Sequence, residues 1–170
     1  MYPLAEDSYL LEKYVKKYAK GKVLDMGTGS GILAKAALEK ADEVLAVDIN
    51  PEAVAHAKSL GIKALRSDLF SNVKGKFDLI VFNPPYLPSE AKEDKYTALQ
   101  VAGGRKGHEA IEKFLKQAKS HLEKSGKILL LFSSLSGDIG KLMKKHGYKA
   151  RKLGERKMFF EKLYVYELFI

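Results

Sequence analysis

The residues best suited to chemistry are four in a row, Asn83-Pro84-Pro85-Tyr86, which follow an apolar run. Two consecutive prolines end a strand, because proline has no backbone N–H, and they hold the carbonyl between them rigidly. The Asn83 side-chain oxygen and the Pro84 carbonyl can accept both N–H protons of a planar amide or amine, which orients its nitrogen lone pair toward an electrophile. Tyr86 can stack on the same planar group. We expect Asn83, Pro84 and Tyr86 to be catalytic, and all four residues to bind the substrate.

Three aspartates, at positions 25, 48 and 68, stand at the ends of three successive predicted strands. The carboxyl ends of parallel strands meet at one edge of a sheet, and open α/β sheets bind their ligands in the crevice there. Asp48 can accept both hydroxyls of a ribose, whereas Asp68 can accept from an adenine amino group. Leu69, the next residue, can lie against the same ring. The acids therefore predict a ligand that contains a nucleoside.

A glycine-rich turn at Gly27, Gly29 and Gly31 follows the first predicted strand and opens a helix. Glycine lets the backbone turn tightly and approach a ligand closely. The spacing differs from the Gly-x-Gly-x-x-Gly of dinucleotide sites, and Asp25 would repel a pyrophosphate but suits an ammonium group. The methionine part of S-adenosylmethionine carries such a group, and the three acids at the ends of consecutive strands resemble the pattern of methyltransferases that use this cofactor. Its sulfonium is the electrophile that a nitrogen acceptor needs. We expect Asp25, Gly27, Gly29 and Asn83 to bind this cofactor.

Apolar runs alternate with amphipathic stretches along the chain, which predicts strands alternating with helices. Such alternation implies right-handed crossovers and a parallel sheet covered by helices on both faces. The last two strands lack a helix between them and must pair antiparallel, with a turn near Gly154 or Phe160. The predicted fold is α/β, a Rossmann-like, mostly parallel seven-stranded sheet with one antiparallel strand. We expect strands over 22–27, 43–49, 63–68, 77–83 and 127–133 and two within 149–170, and helices over 7–19, 30–40, 51–60, 107–124 and 137–146.

The composition of the 170 residues narrows the class of protein. The length fits one domain spanning 1–170, and 46% hydrophobic residues are too many for a disordered chain. Cysteine is absent and the four histidines do not cluster, so we expect no metal site. Without a signal peptide or an apolar run of about 20 residues, we expect a cytoplasmic protein. The net charge of +9 and the basic segment 141–157 fit either contact with a polyanion or a solvated surface.

The motifs between Pro3 and Tyr86 resemble those of the HemK-like family of class I methyltransferases. This family methylates the glutamine of the Gly-Gly-Gln loop in class 1 peptide chain release factors. Its members fold the segment that matches residues 3–8 over the cofactor, which implies that Ser8 contacts S-adenosylmethionine. Asp7 or Ser8 also suits the N-cap of the first helix, and one side chain can serve in both ways.

A second segment, Val101-Ala102-Gly103-Gly104-Arg105-Lys106-Gly107, lies between the acceptor strand and the next predicted helix. It resembles the Ala-Gly-Gly-Arg-x-Gly segment of the short archaeal and eukaryotic branch of the family, although Val101 stands where a tryptophan is expected. That segment lies close to the substrate in the family, which implies that Gly104 and Arg105 bind it. The alternative is a glycine-rich lead into a helix.

The resemblance also implies partners. Long members of the family carry an N-terminal helical domain that grips the release factor, and we expect none here, because the segment that resembles the cofactor-covering one begins at Tyr2. Short members bind a small zinc-containing activator protein, which implies a heterodimer here. Three rival functions remain open: an amino methyltransferase of adenine or guanine in RNA or DNA, a protein-lysine methyltransferase, and a cofactor-binding pseudoenzyme. The sequence shows no added RNA-binding domain, so the first of these is not favoured.

Overall fold

The computed structural model describes residues 6–85 and 108–170 of the chain, and these residues contain seven strands and five α-helices. The strands are β1 Lys22–Met26, β2 Glu43–Asp48, β3 Lys63–Arg66, β4 Phe77–Phe82, β5 Leu122–Ser133, β6 Lys149–Lys157 and β7 Lys162–Phe169. The helices are α1 Glu6–Tyr18, α2 Ile32–Ala37, α3 Pro51–Ser59, α4 Glu109–Ala118 and α5 Ile139–Lys145, with a 3-10 turn at Lys119–His121.

All strands belong to one sheet in the order β3-β2-β1-β4-β5-β7-β6. Strands β1 to β5 pair in parallel, whereas β7 runs antiparallel to both β5 and β6. The predicted seven-stranded sheet with one antiparallel strand is therefore confirmed. The chain moves outward from β1 to β3 and then crosses to the other side of β1 to form β4. The carboxyl ends of β1 and β4 consequently flank the switch point at which open α/β sheets bind ligands.

The core consists of two apolar layers, one on each face of the sheet. Alternate residues of a strand point to opposite faces, so Leu79 and Val81 of β4 enter one layer and Ile80 and Phe82 enter the other. Helices α1, α2 and α3 cover the first layer, and α4 and α5 cover the second. Each fully buried apolar side chain stabilises the fold by about 1.5–3 kcal/mol. The buried β4 is held between the two layers, which fixes the position of the residues that follow it.

The prediction of a helix over 107–124 is wrong at its carboxyl end. The helix α4 stops at Ala118, and after the 3-10 turn the chain is already in β5 from Leu122. Leu122 is buried and pairs with Phe77 at the start of β4. Exposed polar residues after it mimic one more helical turn, but pairing with β4 outweighs that local pattern. The helix α2 is likewise shorter than the predicted 30–40, because the chain turns back toward β2 after Ala37.

The tail forms the two strands predicted for 149–170, and the alternative of a turn near Phe160 is confirmed because the chain reverses between Lys157 and Lys162. The other alternative, a turn at Gly154, is wrong. Gly154 lies inside β6 at a register shift, where a Cβ would lie 2.1 Å from the Tyr14 hydroxyl. That hydroxyl donates to the Leu153 carbonyl at 2.9 Å. Glycine is required there for the close approach of α1 and not for a turn.

Candidate active site

The carboxyl edge of the sheet holds together most of the residues predicted from the sequence. Asp25 lies near the end of β1, Asp48 is the last residue of β2, and Asn83 follows β4 directly. The turn after β1 requires glycine, because Gly27 and Gly29 adopt φ values of 68° and 49° in the left-handed region. These tight conformations keep the turn close to the strand ends, so the glycines border the same crevice as the three side chains.

Asp25 is a buried carboxylate, 1% exposed, with only one of its two oxygens engaged. Its Oδ2 accepts from the Thr28 hydroxyl at 2.7 Å and from the Ala34 backbone N–H at 3.1 Å. Its Oδ1 is buried and has no hydrogen-bond partner among the described residues. Burial raises the pKa of Asp25 to about 6, the two hydrogen bonds oppose this rise, and the charge of Asp48 adds to it. The unpaired oxygen fits an ammonium group, which would restore the lost solvation.

Asp48 braces the glycine-rich turn. Its Oδ2 accepts from the Gly29 backbone N–H and its Oδ1 from the Asn50 N–H, each at 2.9 Å. Asn50 in turn is the N-cap of α3, because its side chain accepts from the Glu52 N–H at 2.9 Å. A carboxylate has about four acceptor sites, so Asp48 keeps capacity for the two hydroxyls of a ribose. The same side chain can thus shape the turn and bind a nucleoside.

Asp68 lies beyond the end of the strand that was predicted to carry it. The strand β3 ends at Arg66, so Asp68 lies two residues beyond the strand in a loop. Its carboxylate is half exposed and pairs with Lys113 of α4, with Nζ to Oδ2 at 2.7 Å. Leu69 adopts a φ of 48°, an uncommon conformation for a residue other than glycine. It also packs partly buried against the core layer of α4. Any adenine amino group at Asp68 would share this carboxylate with Lys113.

The amide of Asn83 is held by the first helix. Its Nδ2 donates to Asp7 Oδ2 at 3.4 Å, and its Oδ1 is buried with no hydrogen-bond partner among residues 6–85 and 108–170. Asp7 is itself 3% exposed and accepts from the Ser8 N–H at 2.7 Å. An acid accepts hydrogen bonds, so it orients the amide with its NH₂ group inward and its oxygen left to accept from another molecule. The sequence did not reveal this role of Asp7.

The N-cap prediction for Asp7 or Ser8 is wrong, because α1 begins at Glu6 and both residues lie in its first turn. Ser8 is buried, and its backbone N–H donates to Asp7, the residue that accepts from the Asn83 amide. Pro84 is buried and Pro85 partly buried directly after β4. Below them the ring of Phe82 packs on Phe114 of α4, with centroids 4.4 Å apart.

The remaining predicted substrate residues, Tyr86, Gly104 and Arg105, lie outside the described residues, as does Val101. Within the two described ranges no helix is long and apolar enough to cross a membrane. The same ranges contain no group of three or more His, Cys, Asp or Glu side chains that could hold a metal ion.

Comparison with known proteins gives concordant matches. The family described as "Methyltransferase small domain" matches residues 5–160. A Methanocaldococcus jannaschii protein, named "Putative protein N5-glutamine methyltransferase", is 40% identical over 97% of this chain and 89% of its own length. A release factor glutamine methyltransferase of Deinococcus radiodurans is 34% identical over 75% of this chain, which spans 52% of that protein. The E. cuniculi Mtq2-Trm112 complex, described as methylating the eRF1 translation termination factor, matches with a TM-score of 0.81 and 25% identity over 98% of this chain and 96% of that chain.

Proposed function

Because the chain belongs to the methyltransferase small-domain family and, within it, to the HemK-like protein-glutamine N-methyltransferases, we propose that it methylates the side-chain amide of the Gly-Gly-Gln glutamine in a class 1 peptide chain release factor. The enzyme depends on S-adenosylmethionine, as its family does. The observation that carries the proposal is the buried Oδ1 of Asn83 directly after β4, which has no hydrogen-bond partner among the described residues and is followed at once by the Pro84 carbonyl.

The residues of the crevice fit S-adenosylmethionine. Asp25 Oδ1, which has no hydrogen-bond partner in the described part of the chain, would accept from the ammonium group. Asp48 would accept from the ribose hydroxyls, and Gly27 and Gly29 let the backbone approach. Ser8, Asp68, Leu69 and Asn83 complete the proposed cofactor set. When bound, the cofactor supplies an electrophilic methyl group on a positively charged sulfur.

Positioning is the task that the protein's own residues perform on the acceptor. An amide nitrogen is a weak nucleophile, because its lone pair is delocalised into the carbonyl. Asn83 Oδ1 and the Pro84 carbonyl would hold the two N–H protons of the glutamine, so that the lone pair points at the methyl group. Asp7 accepts from the Asn83 NH₂ group, which leaves the Asn83 oxygen available to accept from the substrate. Tyr86 would stack on the planar amide, and Pro85, Gly104 and Arg105 would line its path. No strong base is required, since a proton can leave after the methyl group has moved.

The relatives support a release factor as the substrate. The Deinococcus radiodurans relative is named for this substrate, and the E. cuniculi complex is described as acting on eRF1. That complex pairs Mtq2 with Trm112, and we propose that this chain also forms a heterodimer with a small zinc-containing activator protein. The matched region covers 52% of the Deinococcus radiodurans relative, which therefore has further segments outside the match.

Transfer of labelled methyl groups tests the proposal. The chain is incubated with labelled S-adenosylmethionine and, in separate reactions, a release factor, the same factor with its Gly-Gly-Gln glutamine replaced by alanine, a histone-type lysine substrate, and total RNA. Each reaction is run with and without the activator protein. We expect label in the unaltered release factor alone, at a higher rate with the activator. Label in RNA, or in the factor whose Gly-Gly-Gln glutamine is replaced by alanine, would contradict the proposed acceptor.

A further inference from the structure

The turn between β6 and β7 carries two phenylalanines on its surface. Phe159 is 91% exposed and Phe160 is 85% exposed, and their rings meet edge to face with centroids 4.6 Å apart. Neither ring contributes to the two core layers. Keeping two large apolar side chains in water is unfavourable, and adjacent exposed aromatic rings are typical of a surface that a partner covers. We call residues 156–162 the hairpin tip.

The hairpin tip stands on the edge of the sheet where the acceptor is held. Phe82 at the end of β4 pairs in register with Leu130 of β5, and Leu130 pairs in register with Tyr166 of β7. Lys162 lies four residues beyond Tyr166 toward this edge, which corresponds to about 13 Å along the strand. Two strand spacings, about 10 Å, separate β4 from β7 across the sheet. The tip therefore projects past Asn83 and to one side of it.

Hydrogen bonds to the end of β5 hold the hairpin tip in place. The Met158 N–H donates to the Glu161 carbonyl at 2.8 Å and closes the turn. The Ser134 N–H donates to the Lys162 carbonyl at 2.8 Å, and the Lys162 N–H donates to the Ser134 hydroxyl at 3.0 Å. The Ser133 hydroxyl donates to the Glu161 carboxylate. A tip fixed in this way loses little conformational freedom on contact with a partner.

The surroundings of the two rings are basic. Residues 149–162 contain six basic side chains and two acidic ones. Both acids are engaged within the protein, since Glu155 pairs with Lys152 and Glu161 accepts from Ser133. Lys157 and Lys162 are exposed on either side of the aromatic pair. The surface that complements the tip is therefore apolar at its centre and acidic around it.

We propose that the hairpin tip docks on an apolar, acid-rimmed surface of the protein that carries the acceptor glutamine, an inference that rests on the proposed function. A protein whose glutamine enters the crevice at Asn83 brings its surface over the same edge of the sheet. Successive bases of a nucleic acid stack on parallel aromatic platforms, whereas the planes of these two rings are nearly perpendicular, at 82°. The hairpin tip contacts the body of the substrate protein. A short peptide around the glutamine is too small to reach the tip.

Kinetics with two forms of the substrate test this docking. The double variant Phe159→Ser/Phe160→Ser is assayed with a whole release factor and with a short peptide that contains its Gly-Gly-Gln loop, using the full chain and the activator protein. We expect KM for the whole factor to rise by at least about tenfold with kcat unchanged, as for loss of a central aromatic contact, and KM for the peptide to stay the same. Lys157→Glu should raise KM for the whole factor in the same direction.

The control is Leu38→Ser, which alters an apolar side chain, 47% exposed, in the connection between α2 and the start of β2. Both KM values should be unchanged in this variant. An unaltered KM of the double variant for the whole factor would overturn the inference, and so would an equal rise for factor and peptide. Loss of affinity for RNA without a change in KM would assign the tip to nucleic acid and overturn it as well. Failure of the wild-type chain to methylate the factor would refute the proposed function together with the inference, whereas normal wild-type activity with an unchanged variant refutes the inference alone.

Discussion

Replacing Asp25 by asparagine is expected to stabilise the cofactor-free protein and to weaken its binding of S-adenosylmethionine. The carboxylate is buried, one of its oxygens has no hydrogen-bond partner within residues 6–85 and 108–170, and its pKa is raised to about 6, chiefly by burial. The folded state therefore disfavours the charge that cofactor binding uses. Asparagine keeps an oxygen acceptor for Thr28 and Ala34 and removes the charge. Stability and binding should thus change in opposite directions.

The size of the stability change follows from the raised pKa. The ordinary value is 3.8, so the folded protein binds a proton more tightly than the unfolded chain, and its stability falls as the pH rises from about 4 through 6. A shift of about two units corresponds to about 3 kcal/mol when the group is fully ionised. The free energy of unfolding of Asp25→Asn should therefore be about 3 kcal/mol higher than that of the wild type at pH 7. This difference should fall to about half at pH 5.

Two measurements check both halves of this prediction. Urea denaturation of the cofactor-free protein at pH 7 and pH 5 gives the change in free energy of unfolding, and isothermal titration calorimetry gives cofactor affinity. We expect wild-type affinity to fall about tenfold between pH 7 and pH 5, and the variant to bind weakly at both. Asp78→Asn, at the opposite edge of the sheet, is the control and should bind normally. Unchanged affinity in Asp25→Asn would refute the ammonium site, and an unchanged or lower stability would refute the buried charge.

Three further variants probe the neighbours of this carboxylate. Asp48→Ala should weaken cofactor binding by about 1–3 kcal/mol in calorimetry, because it removes charge-assisted acceptors, and an unchanged affinity would refute the ribose assignment. Asp7→Ala should lower kcat by about tenfold with unchanged cofactor affinity, because the Asn83 amide loses its orienting acceptor, and Asp7→Asn should restore part of the rate. Equal rates in Asp7→Ala and Asp7→Asn would count against Asp7 as the acceptor that orients the Asn83 amide. Phe114→Ala should lower the free energy of unfolding by about 3–5 kcal/mol in urea, because a fully buried ring between α4 and β4 is lost, and a change below 1 kcal/mol would contradict this packing.

The order of the elements could be predicted from the sequence, because strands and helices differ in the period of their apolar residues. The glycine-rich turn and the residues Asp25, Asp48 and Asn83 could also be assigned to one edge, since each comes at the end of an apolar run. Boundaries set by pairing between distant segments were not predictable. The start of β5 at Leu122 depends on Phe77, which is far away in the chain, while the local pattern continues a helix.

Contacts between distant side chains were missed for the same reason. Asp7 and Asn83 are 76 positions apart, and Lys113 is 45 positions from Asp68. Neither pair leaves a periodic signal in the sequence. Thr28 is different, because a hydroxyl three residues after a buried acid is a plausible local partner, and that spacing could have suggested its bond to Asp25. The hairpin tip could be predicted as a turn, but the exposure of its phenylalanines follows only from the way β6 ends the sheet.

Asn83 is the residue that is proposed to orient the acceptor amide for methyl transfer. The decisive measurement is the methylation rate of Asn83→Ala at saturating S-adenosylmethionine with a class 1 release factor, with the modified residue located by tandem mass spectrometry. We predict methyl groups on the Gly-Gly-Gln glutamine with the wild type, a rate at least about a hundredfold lower with the variant, and cofactor affinity close to normal. Methylation of that glutamine by Asn83→Ala at the wild-type rate would contradict the account.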